Sequence, residues 1–167
     1  MNALAFQLSD VPWAWFVTLT FRGRGGTVPA KGKRVKALFT WLRTIARHKR
    51  MHFGQLLWVV REEFGELNGR QHFHVLVGGF QHDAFDLWAG KNSWKLGIAH
   101  VTRYASDLSG VAYLLKGDSP EQAMAYEINK TGRPTAETVL SHSVMRLLQE
   151  KRATGHPPQQ GATVETR

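Results

Sequence analysis

The 167-residue chain contains no cysteine. That excludes a disulfide framework, a thiolate metal site and a cysteine nucleophile, and it fits a reducing compartment such as the cytoplasm. No run of about 18 apolar residues occurs, the length a membrane-crossing helix needs, so no membrane span is expected. The first ten residues lack a basic stretch ahead of an apolar one and do not read as a secretory signal. Acidic residues are scarce: 13 Asp and Glu against 22 Lys and Arg leave a net charge of +9. A small chain this basic is suited to a polyanion, and nucleic acid is the expected partner. Tyrosine is also rare, with three in the chain, Tyr104, Tyr113 and Tyr126.

The apolar share is ordinary for a globular protein, 43%, and six Trp and nine Phe supply bulk for a core. One domain is expected over residues 1–152. Residues 153–167 carry two prolines and no apolar period and read as a disordered tail. Trp13 to Phe21 (WAWFVTLTF) is rich in β-branched and aromatic residues and reads as a strand. A glycine-rich basic loop follows. Residues 33–50 place Val35, Leu38, Phe39, Leu42, Ile45 and Ala46 at helical spacing, which predicts an amphipathic helix. Residues 55–63 and 71–79 predict two strands, and the turn residues Gly65, Asn68 and Gly69 between them predict an antiparallel hairpin. A short helix is expected over 82–91, a fourth strand over 98–104, and a helix over 106–116 with Ser106 or Asp107 as its cap and Gly117 after its end. Further helices are expected over 120–129 and 135–152. The order β-α-β-β-α-β predicts an α+β fold: a ferredoxin-like, split β-α-β antiparallel sheet of four or five strands with helices on one face.

His72 and His74 stand two apart on a predicted strand, so both rings leave the same face. Two neutral imidazoles side by side can bind one divalent metal, given a third ligand. The preceding strand ends in Glu62 and Glu63, beside His72 if the hairpin pairs across its turn. Alternation allows one of them to share the histidine face. The row Leu57, Val59, Arg61, Glu63 turns polar towards that end, whereas Leu56, Trp58 and Val60 stay apolar, which favours Glu63. On a following helix, Tyr113 and Lys116 are three apart and share a face. A tyrosine can act as a covalent nucleophile once a cation or metal favours its phenolate.

FVTLTF at Phe16 to Phe21, HFH at His72 to His74 and YLLK at Tyr113 to Lys116, in that order, resemble the three motifs of HUH endonucleases, specifically the single-tyrosine rolling-circle replication initiators (Rep). REEFGELNGRQHFHVLV resembles the metal-binding region of single-stranded DNA phage and related initiators, with its glutamate falling on Glu63 and its arginine on Arg70. The resemblance spans about residues 13–117. It implies an HUH fold and a Mg²⁺ or Mn²⁺ ion held by His72, His74 and Glu63. It also implies nicking and joining of single-stranded DNA through a 5′-phosphotyrosine on Tyr113, initiating rolling-circle replication of a plasmid or phage, with Lys116 positioning the phosphate or the metal-site face. The implied partner is single-stranded DNA at a replication origin, a hairpin among its forms. No helicase segment occurs here, so a host helicase is implied for unwinding. Positions four from Tyr113 are Ser109 and Gly117, which departs from two-tyrosine relatives. An HUH transposase or relaxase would use the same chemistry. A non-catalytic nucleic-acid-binding module is the reading from another class.

Arg22, Arg24, Lys31, Lys33, Arg34 and Lys36 crowd the first loop and helix start, and with Arg70 they are candidates for tracking a DNA backbone.

Overall fold

A computed structural model of the chain describes residues 3–23, 28–64, 70–81, 84–105, 109–115 and 138–154. Its elements are α1 (Ala3–Ser9), β1 (Trp13–Phe21), α2 (Lys31–His48), β2 (Leu57–Phe64), β3 (Gln71–Gly78), α3 (Ala84–Ser93), β4 (Gly97–Arg103), α4 (Ser109–Leu114), β5 (Thr138–Leu140) and α5 (His142–Ala153). A short 3-10 turn, Phe53–Gln55, leads into β2.

The strands form one antiparallel sheet in the order β4-β1-β3-β2-β5. The first four are in ferredoxin-like order, as expected of a split β-α-β repeat. β5 adds a three-residue edge to β2, pairing Val59 with Leu140 and Arg61 with Thr138. The expected helix over 135–152 is corrected accordingly. Residues 138–140 are β-branched or apolar and take the open edge of β2, and the helix starts only at His142, where Ser141 accepts from the Val144 amide as N-cap. The expected helix over 120–129 and most of the expected tail lie outside the described residues.

Helices cover both faces of the sheet, which corrects the one-face expectation. The crossover helices do share a face. There Leu38, Trp41, Leu42, Ile45 and Ala46 of α2 pack on Trp15, Val17, Leu19, Phe73, Val75 and Val77. On the other face, Leu8 of α1, Val111 and Leu114 of α4, and Val144 and Leu148 of α5 pack on Leu57, Val59 and Leu76. The cause is visible in β2 and β3. Their residues are apolar on successive positions over much of their length, so both faces need covering.

Gly97 starts β4 against the end of β1. A Cβ there would collide with the Thr20 carbonyl, so the strand can reach its partner only through glycine.

Candidate metal centre

Three cross-strand rows build one end of the sheet face that carries α4. The pairing sets Thr20, His72 and Glu63 side by side on β1, β3 and β2. The next row is Thr18, His74 and Arg61, and the third is Phe16, Leu76 and Val59. Polarity therefore rises towards the hairpin turn while the opposite end stays in the core. Register puts Glu63 on the histidine face, as the polar row predicts. Glu62 faces α2 instead, where its Oε1 accepts from Arg34 Nε at 2.7 Å and also from the Gln71 side chain.

One ligand atom each from Glu63, His72 and His74 falls within a 4.8 Å cluster. The two Nε2 atoms are 2.9 Å apart. Glu63 Oε2 lies 3.8 Å from His72 Nε2 and 3.5 Å from His74 Nε2. The outer ring nitrogens are taken. His72 Nδ1 is 3.0 Å from the Arg70 carbonyl, which can only accept, so Nδ1 carries the proton and Nε2 offers a lone pair to the cluster. His74 Nδ1 is 3.2 Å from Thr18 Oγ1, and the His74 ring stacks on Phe16 with centroids 5.7 Å apart. Such outer partners fix the rings of metal-binding histidines.

His74 is buried, and its pKa is lowered from 6.5 to about 4 by burial, then by His72 and Arg61. It is neutral at physiological pH, the form that ligates. The fit to a divalent ion is good on spacing too. Adjacent donors on an octahedral ion with bonds of roughly 2.1 Å lie about 3 Å apart, close to the separation of the two nitrogens. Two nitrogens and a carboxylate leave coordination positions open, as a catalytic site requires. Glu63, His72 and His74 can therefore hold a divalent metal.

Arg61 completes the second row and joins the centre to α4. It is 8% exposed; its Nε lies 2.8 Å from Glu63 Oε1, and its Nη1 donates to the Leu114 carbonyl at 3.0 Å. Neither Arg61 nor Thr18 is a sequence-level candidate. The signal for Arg61 was its place two residues before Glu63, on the same face of the strand.

Tyr113 lies in α4, one residue before Leu114. Gly110, a turn earlier, lets this helix approach the sheet: a Cβ there would be 3.0 Å from the Tyr104 ring and 3.1 Å from the Phe16 ring. Tyr104 follows β4 and packs at the edge of that core. Lys116, Tyr126 and Arg24 lie outside the described residues.

Among the other basic candidates, Arg22, Lys31, Lys33, Lys36 and Arg70 are exposed. Arg22 follows the end of β1 that carries Thr20, so it stands at the same end of the sheet as His72. Arg34 is committed inward, to Glu62 and to the Pro29 carbonyl. Lys33 and Lys36 rim a groove of about 340 Å³ with Lys95, over a floor that includes Trp41 and Trp94.

The family model described as replication-associated protein ORF2/gene-II protein matches residues 14–118, well over half of the chain and all of the rows described above. No curated protein and no solved structure matches it.

Proposed function

The chain belongs to the replication-associated protein ORF2/gene-II protein family, and from that premise we propose that it is a metal-dependent endonuclease of the HUH type. It nicks and rejoins single-stranded DNA at an origin and so initiates rolling-circle replication. The observation that carries this reading is the convergence of Glu63, His72 and His74 on one face, beside the helix that contains Tyr113.

Glu63, His72 and His74 would hold the ion, which when bound would offset negative charge on the scissile phosphate and orient it for in-line attack. Tyr113 is the nucleophile. Its phenolate oxygen forms a bond to phosphorus, and the bond from phosphorus to the 3′-side oxygen breaks. The products are a 5′-phosphotyrosine and a 3′-hydroxyl, whose oxygen takes up a proton that balances the one the Tyr113 phenol gave up. Rejoining runs the same step backwards, with the 3′-hydroxyl attacking the phosphotyrosine. Lys116 serves the phosphate or the metal-site face as a fixed positive charge.

Arg22 and Arg70 at the metal end of the sheet, with Lys31, Lys33 and Lys36 on the first turns of α2, supply the backbone-tracking charge. Support for that surface comes from their exposure together and from the Lys33, Lys36 and Lys95 groove.

The test is incubation with a single-stranded oligonucleotide library and Mn²⁺, followed by denaturing electrophoresis. A covalent protein–DNA species that forms with Mn²⁺ and vanishes in EDTA is expected. Tight DNA binding with no covalent species under any metal would assign the chain to the non-catalytic class.

A further inference from the structure

We infer that Arg61 is a positioning residue that ties the metal ligand Glu63 to the helix carrying Tyr113, so that one guanidinium sets the spacing between metal site and nucleophile. The inference rests on the proposed metal and nucleophile assignments and adds what holds the two halves together.

Burying a guanidinium is costly unless its donors are matched, so the partners of Arg61 say what it is for. Its Nε makes a charge contact with Glu63 Oε1 at 2.8 Å, outside hydrogen-bond geometry, leaving Oε2 as the oxygen turned to the histidines. Another donor reaches across to the Leu114 carbonyl on a different element at 3.0 Å. α4 is only six residues long and gains little stability from its own hydrogen bonds. Its position is therefore set by packing of Val111 and Leu114 and by this polar anchor.

The residue type matters. A planar guanidinium presents several donors in a fixed fork and can serve two acceptors in different directions. A lysine at the same place is a point charge on a flexible stem. It can stay with Glu63 and lose the carbonyl.

The guanidinium repels a cation bound a few ångströms away, at Glu63. It also orients the Glu63 carboxylate, an effect of the opposite sign on Mn²⁺ affinity. The tether is therefore read by α4 exchange in metal-free protein and by nicking at saturating Mn²⁺.

The test compares wild type, Arg61→Gln and Arg61→Lys by three readouts: hydrogen exchange of backbone amides in metal-free protein, Mn²⁺ affinity by calorimetry, and nicking at saturating Mn²⁺. For Arg61→Gln the expected result is at least tenfold faster exchange at residues 113–115, with α2 amides unchanged. With Mn²⁺ saturation set from the calorimetry, nicking should fall at least tenfold without rescue by excess Mn²⁺. Arg61→Lys should keep the fast exchange in α4 and the slow nicking. If Arg61→Gln does not fold, Arg61→Lys alone decides by the same comparison. Unchanged α4 exchange, equal acceleration in α2, or nicking rescued by more Mn²⁺ would each overturn the tether. A wild-type chain that neither binds Mn²⁺ nor nicks overturns the proposed function, while the α4 exchange comparison still reads the tether itself.

Discussion

Glu62 and Glu63 are adjacent in the chain and work on opposite faces of the sheet. Glu62 pairs with Arg34 on the α2 side; Glu63 stands across the ladder from His72 on the α4 side. Their substitutions should separate cleanly. Glu63→Ala should weaken Mn²⁺ binding by roughly tenfold or more, the scale seen for residues supporting or forming a ligand shell. Glu62→Ala should leave Mn²⁺ affinity within about twofold. It should cost about 1 kcal/mol of stability through the lost partly buried pair with Arg34. Calorimetry with Mn²⁺ and urea denaturation on both variants give the two numbers, and the reverse ranking in Mn²⁺ affinity would move the ligand role to Glu62.

Acid should destabilise the metal-free protein through His74. Its folded pKa is lowered to about 4, against an ordinary 6.5, so the unfolded chain takes up the proton first. Between those values the unfolded state holds more protons than the folded state, and stability rises with pH. The contribution is complete above about pH 6.5 and is lost as pH falls towards 4. Urea midpoints in EDTA at pH 7, 6 and 5 should therefore drop more steeply for wild type than for His74→Gln. Parallel profiles would show that His74 does not titrate this way.

Gly110→Ala should push α4 off the sheet. The added methyl would come within 3.0 Å of the Tyr104 ring and 3.1 Å of the Phe16 ring, so the rings or the helix must give by a few tenths of an ångström. Overpacking of this kind costs about 1–3 kcal/mol, and the better helix propensity of alanine returns up to about 1. A net loss near 1 kcal/mol is expected, with a larger proportional loss of nicking because Tyr113 travels with the helix. A variant more stable than wild type, nicking at the wild-type rate, would contradict the close approach of α4.

DNA affinity should fall steeply with salt. Each phosphate contact on a single strand contributes a log–log slope of about −0.7. Lys33→Ala and Lys36→Ala should each flatten the slope by somewhat less than one and leave sequence preference alone. Arg34→Ala should change stability more than slope, since Arg34 is bound to Glu62 and Pro29. Fluorescence anisotropy across a salt series checks both, and a wild-type slope near zero would remove α2 from the DNA-binding surface.

Much of this site could be read from strand alternation alone. His72 and His74 share a face because they are two apart, and Glu63 joins them because the row through Arg61 turns polar. α2 announced itself by apolar spacing. α1 did not: seven residues give little local signal, and its place is set by Leu8 packing on the far core. β5 was hidden because three residues beside a helix take their state from the free edge of β2. The second helical layer was legible in principle, in the near-continuous apolar runs of β2 and β3, which alternate too little for a sheet with one wet face. Arg61 is hard to read from sequence because a strand arginine ordinarily points to solvent, whereas here it meets Glu63 and the Leu114 carbonyl of a distant element.

The central claim is that Tyr113 attacks DNA at a metal site built by Glu63, His72 and His74, and it is tested most directly by locating the covalent bond. Wild-type protein is incubated with single-stranded DNA and Mn²⁺, digested with nuclease and protease, and the nucleotide-bearing peptide is identified by mass spectrometry. The account predicts a nucleotide mass on Tyr113, absent in EDTA, in His72→Ala and in Tyr113→Phe, with Tyr113→Phe still binding DNA at close to wild-type affinity. A nucleotide on Tyr104 or Tyr126, or an adduct that persists in EDTA, would contradict it.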